Sequence, residues 1–209
     1  MSKLQANFDS KDVEILSREK IHEGFVRLDC LQLRHRLYDN DWSEALQREL
    51  LIKSQAVGIL LFDPRRDEIV LVRQFRVGMI DEKQSPWLLE LVAGMVTEGE
   101  QLLEVAIRET NEESNCVPTN LVEICAYYNS PGVSNEKITL YCGQVDAKNA
   151  GGIFGLKAEH EDIEVVVLSY DDVLAAVKSG AINNAMTIIA VQWLQLNKQE
   201  LLHGWKQLP

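Results

Sequence analysis

Gly94-Met95-Val96-Thr97-Glu98-Gly99-Glu100, then Gln101 through Ile107, then Arg108-Glu109-Thr110-Asn111-Glu112-Glu113, is the stretch on which the reading turns. The spacing predicts a helix over 101–113. On a wheel of 3.6 residues per turn, Leu102, Leu103, Ala106, Ile107 and Thr110 form one stripe, expected to lie on a sheet. Glu113 falls roughly 50° from the centre of that stripe, Glu109 roughly 90° and Glu112 roughly 150°. Glu109 and Glu113 therefore stack at the edge of the buried face. Like charges four residues apart repel, and the C-terminal end of a helix disfavours anions. An arrangement unfavourable on both counts implies a cation between them, and hard carboxylate oxygens suit Mg²⁺ or Mn²⁺. Glutamate-rich helices are more often plain solvated faces, so the surrounding pattern has to decide.

Outward from the helix, strands and helices interleave, which sets a mixed α/β class. Ala56–Phe62 and Ile69–Phe75 flank Asp63-Pro64-Arg65-Arg66-Asp67 as a hairpin. Trp87 to Ala93 reads as one buried strand ending at Gly94. Leu121–Tyr127, Ile138–Val145 and Ile163–Leu168 read as further strands. Asp171–Ser179 reads as a helix closed by a left-handed Gly180, and residues 184–202 as a final amphipathic helix. Residues 12–53 carry strand signals and little helix signal. The expected division is an N-terminal antiparallel β-sheet domain over 1–54 and a catalytic domain over 55–209. So small a sheet buries little alone, which suggests a homodimer.

The chain has 209 residues and 46% apolar content, enough for a sizeable core, which argues against disorder. Its net charge of −11 argues against nucleic acid or anionic lipid as partners, though a small anionic substrate screened by cations stays open. Cys30, Cys116, Cys125 and Cys142 form no CxxC pair, which disfavours zinc and fits reduced thiols. Residues 1–5 lack the apolar core of a signal peptide, and no apolar run reaches membrane-spanning length. The expected location is the cytoplasm.

Gly94, five residues, Glu100, seven residues and Arg108-Glu109-Thr110-Asn111-Glu112-Glu113 resemble the Nudix box, Gly-x5-Glu-x7-Arg-Glu-U-x-Glu-Glu-x-Gly-U, with U bulky and apolar. Every charged position matches. Thr110 stands at the first U and keeps a methyl on the stripe. Asn115 replaces the last glycine and is the next best residue for a left-handed helix stop. Trp87 to Met95, Ser130-Pro131-Gly132, Ile182-Asn183-Asn184-Ala185 and Gln192 to Leu196 extend the likeness over most of the chain, toward the bacterial ADP-ribose pyrophosphatase subgroup.

The resemblance implies an α/β/α Nudix sandwich whose N-terminal sheet exchanges between two subunits. It implies metal on Glu109, Glu113 and the Ala93 carbonyl, with Glu112 and Glu159 contributing. It gives Arg108 the task of orienting the glutamates and Glu100 that of bracing the loop, beside the structural Gly94. Glu159 matches the family's general base, although the residues alone do not choose among Glu159, Glu161 and Asp162. Substrate contacts are expected from Phe25, Arg48, Glu49, Arg76, Met95 and Glu136. Phe25 is equally readable as a core aromatic, and Arg48-Glu49 as a solvent-facing pair. The implied reaction is Mg²⁺-dependent hydrolysis of ADP-ribose to AMP and ribose 5-phosphate. Another nucleoside diphosphate sugar, such as GDP-mannose, and a non-catalytic ADP-ribose-binding domain are the alternatives.

Overall fold

The computed structural model describes residue 4 and residues 7–206. The chain forms two compact units, Met1–Ser54 with Tyr128–Lys137, and Gln55–Tyr127 with Ile138–Pro209.

In the first unit, β1 (Val13–Glu23), β2 (Arg27–His35) and β3 (Leu46–Ile52) form an antiparallel sheet in the order β1-β2-β3. Asp29 is wholly buried in it and takes Arg18 Nε at 2.6 Å and Arg27 Nε at 2.7 Å. Chiefly the Arg27 bond, helped by Arg18, holds its carboxyl down to about 2 despite the burial. The 128–137 loop joins the sheet through Leu51 N–H to the Val133 carbonyl and Lys53 N–H to Asn135 Oδ1, both 2.8 Å. β1 is exposed along its whole length, Val13, Ile15, Leu16 and Ile21 included.

The second unit is a sandwich. Its strands are β4 (Ala56–Asp63), β5 (Glu68–Phe75), β6 (Trp87–Glu90), β7 (Val92–Met95), β8 (Thr119–Tyr128), β9 (Lys137–Gln144), β10 (Gly152–Phe154) and β11 (Ile163–Ser169). They run in the order β10-β11-β5-β4-β9-β8, with β6 on β5 and β7 on β4. The alternation of side chains along β4 builds the layers. Val57, Ile59 and Leu61 pack on one face with Val105 and Ala106 of α1 (Leu102–Ser114). Leu60 and Phe62 pack on the other with Val173 of α2 (Tyr170–Ser179) and Val191 and Leu194 of α3 (Ala185–Lys206). This is the α/β/α layering that the resemblance implies.

Two local readings are revised, and one short strand is added. Trp87–Ala93 is two strands, because β4 and β5 pair only over residues 61–63 and 68–70 and then splay. β6 follows β5 and β7 follows β4, so the chain changes partner at Leu91. The apolar stripe of the helix is not its buried arc: Leu103 and Ile107 are exposed, whereas Val105, Ala106, Thr110, Glu113 and Ser114 are buried. The buried arc is turned by roughly 40° from the apolar one, which puts Glu113 near its middle. The short β10 carries no periodic signal in the sequence, because three residues are too few to show one.

Both cap readings hold: Asn115 (φ 53°) and Gly180 (φ 79°) are left-handed. Asn115→Val places a β-branched side chain in that conformation and is expected to cost about 1–2 kcal/mol. Asn115→Gly is expected to leave stability unchanged or higher, as read from urea unfolding midpoints.

Candidate active site

β7 and α1 meet where the glutamates lie. The Val96 N–H donates to the Gln55 carbonyl at 2.8 Å, which sets the phase of the β4–β7 ladder. Gly94 and Val92 then exchange bonds with β4, and Ala93 turns its N–H and carbonyl the other way. The Ala93 N–H donates to Glu113 Oε2 at 3.1 Å. Glu109 lies directly on Gly94, where a β-carbon would overlap its carboxyl group, so only glycine leaves the room.

Arg108 brackets the outer side. It reaches Glu109 at 2.9 Å, Glu112 at 3.0 Å and Glu100 at 3.5 Å. Glu100 also accepts from the Thr97 N–H (2.9 Å) and hydroxyl (2.6 Å), and these bonds, the hydroxyl's first, lower its pKa. Glu113 is 3% exposed. Burial raises its carboxyl to about 8; the Ala93 N–H opposes that, while Glu109 and Glu161 add to it. Burial likewise raises Glu109 to about 7, opposed by Arg108 and reinforced by Glu112 and Glu161. Two desolvated carboxylates thus converge with too little positive charge to match them. Such hard oxygen donors fit a divalent cation.

The expected residues are not all brought together. Among the described residues, no three His, Cys, Asp or Glu side chains gather closely enough to hold an ion. Glu112 is drawn to Arg108, and Glu159 is exposed in a short 3-10 turn. Glu161 is the loop carboxylate whose field reaches both Glu109 and Glu113. Its Oε2 accepts the Leu156 N–H at 2.9 Å, and its β-carbon packs where Gly155 (φ 103°) has no side chain.

Arg76 stands near Glu113 but spends its Nε on Glu90, at 2.7 Å. Burial raises the pKa of Glu90 against that pairing. Glu90 leaves no sign in the sequence as a site neighbour, because nothing local shows that β6 crosses there. Met95 is exposed at the end of β7. The remaining expected contacts lie in the first unit. Phe25 is 95% exposed in the β1–β2 turn, which excludes a core role. Arg48 and Glu49 are exposed on β3. Glu136 accepts from Asn129 Nδ2 at 2.8 Å and faces Lys53 Nζ at 3.6 Å.

Comparison with known proteins gives consistent findings. A model of the NUDIX domain matches residues 53–188. The ADP-ribose pyrophosphatase of Escherichia coli (strain K12) is 42% identical over 202 residues, 97% of each chain. That of Haemophilus influenzae is 40% identical over 210 residues, 99% of this chain and 96% of its own. The GDP-mannose pyrophosphatase of Cronobacter sakazakii is 31% identical over 156 residues, covering 72% of this chain and 78% of its own. A solved structure described as an ADP compounds hydrolase superposes with a TM-score of 0.69 over 94% of this chain and 97% of its own, at 19% identity. That last likeness bears on the fold alone.

The raised carboxyls set a pH dependence. Between the ordinary value of 4.5 and about 8, native Glu113 keeps a proton that the unfolded chain has released. Stability of the chelator-treated protein therefore falls as pH rises through that window. Asp29 acts with the opposite sign, but only between its usual 3.8 and about 2. Melting temperature should drop from pH 5 to pH 8, and Glu113→Gln should flatten the drop. An equal slope in that variant would contradict the assignment.

Proposed function

The chain belongs to the NUDIX domain family, and on that footing we propose that it hydrolyses the diphosphate of ADP-ribose to AMP and ribose 5-phosphate. The observation that carries this reading is the pairing of half-buried Glu109 with buried Glu113, set against the Ala93 N–H and the bare face of Gly94. Relatives named for ADP-ribose align over nearly their full length, including the N-terminal unit. The relative named for GDP-mannose aligns over less and is the runner-up.

Glu109, Glu113 and the Ala93 carbonyl, assisted by Glu112 and Glu159, would hold Mg²⁺ or Mn²⁺. Such an ion, when bound, neutralises the diphosphate and acidifies a water. Arg108 keeps Glu109 and Glu112 from turning to solvent. Arg76, already oriented by Glu90, presents its remaining N–H groups to phosphate oxygens. Phe25 offers a free aromatic face for adenine, with Arg48, Glu49, Met95 and Glu136 as further contacts. A loop carboxylate takes the proton of the attacking water. Family position favours Glu159, and the field at Glu109 and Glu113 favours Glu161.

We read the protein as a cytoplasmic homodimer that binds neither nucleic acid nor membrane. The exposed apolar residues of β1 support the dimer, and the net charge of −11 supports the exclusion of nucleic acid. Among the described residues no helix is long and apolar enough to cross a membrane. Sedimentation giving a monomer at micromolar concentration would contradict the dimer.

Two measurements test the activity. With Mg²⁺, release of AMP from ADP-ribose should exceed release of GMP from GDP-mannose at least roughly tenfold in kcat/KM, a gap of about 1.4 kcal/mol. The opposite preference would overturn the substrate assignment. Glu113→Gln should stay folded and lose about a hundredfold or more in kcat. Glu159→Gln and Glu161→Gln, compared side by side, should identify the base by which one flattens the acidic limb of the pH–rate profile.

A further inference from the structure

The residues that hold the β6–β7 crossover take no part in the chemistry above. The Arg76 N–H donates to the Pro86 carbonyl at 2.8 Å, which sets the phase of the β5–β6 ladder. Leu88 and Glu90 then exchange bonds with β5, and Leu89 faces away. Leu91 belongs to neither ladder. A buried backbone group without a partner is strongly unfavourable, so these displaced groups need acceptors and donors from elsewhere.

They find them at the N-terminal end of α3, on its first turn and on Asn184 just before it. The Leu91 N–H donates to Thr187 Oγ1 at 3.1 Å, and both residues are fully buried. Asn184 Nδ2 donates to the Leu89 carbonyl at 2.7 Å. The same Asn184 amide accepts the Thr187 N–H on its Oδ1 at 3.1 Å, capping the helix. Two residues beyond Leu91, the Ala93 N–H meets Glu113 of α1. One ribbon is thus pinned on successive groups by a helix from each face of the sheet.

We propose that Asn184 and Thr187 are positioning residues for hydrolysis: by clamping Leu89 and Leu91 they fix where Ala93 and Gly94 meet Glu113 and Glu109. The inference rests on the proposed reaction for its kinetic readout and on hydrogen bonds alone for its structural one. The lever is short, since Leu91 and Ala93 are separated by a single residue. Displacement of a catalytic group by about 1 Å costs up to roughly a hundredfold in rate.

Thr187→Val keeps the shape and removes the acceptor. The expected result is a folded protein with kcat down roughly tenfold or more and KM for ADP-ribose within about twofold. The Ala93 amide should exchange with solvent faster, by NMR, while the Leu71 amide in the sheet centre is unchanged. Thr187→Ser should restore both. Asn184→Asp keeps the helix cap but has no N–H for Leu89, and should show the same pattern; it decides the matter if Thr187→Val does not fold.

Lower melting temperature with unchanged kcat and unchanged Ala93 exchange in both variants would reduce the pair to a structural prop and overturn the proposal. If Glu113→Gln is inactive while both variants keep full activity, this inference fails and the proposed function stands. If the wild type does not cleave ADP-ribose, the proposed function fails, and Ala93 exchange alone decides the clamp.

Discussion

The hydrogen bond from the Ala93 N–H to Glu113 is the contact around which the second unit is arranged. It requires a carboxylate inside the layer between α1 and the sheet, where carboxylates are costly. The helix accordingly turns on its axis, giving up burial of Leu103 and Ile107 to carry Glu113 inward. Only a strand whose N–H is free of its own ladder can supply the donor, and β7 does so because it pairs with β4 alone.

That freedom comes from the splay of β4 and β5. A single stretch of chain fills the opening by serving β5 first and β4 next. The crossover leaves backbone groups without ladder partners, and the side chains that satisfy them come from the helices rather than from the strands. The sheet defect and the acidic site are therefore one feature. A regular sheet at this point would leave no outward N–H at Ala93 and no bare glycine surface for Glu109 to lie on.

Charge follows the same logic. Glu109 and Glu113 are raised toward neutrality by burial, and Arg108 and Arg76 offset this only in part. Asp29 in the first unit is wholly buried, yet two arginines keep it ionised far below the ordinary range. The contrast separates a buried acid with matched charge from a pair left in deficit. That deficit marks Glu109 and Glu113 as candidates for chemistry rather than for stability.

Much of this was legible in the order of residues. The hairpin over 56–75, the helix read at 101–113, both left-handed caps and the glutamate spacing are local properties, fixed by propensity and turn chemistry within a few residues. Gly94 and Glu109 could be paired by their motif. The sequence could not show the strand break at Leu91, because apolar residues continue through it and periodicity does not register a change of partner. Nor could it show which arc of α1 is buried, since hydrophobicity favoured Leu103 and Ile107 while a hydrogen bond across 20 residues favoured Glu113. Glu90, Glu161, Asn184 and Thr187 acquire their roles from backbone groups distant in sequence, and only the packed sheet brings those groups within hydrogen-bonding reach.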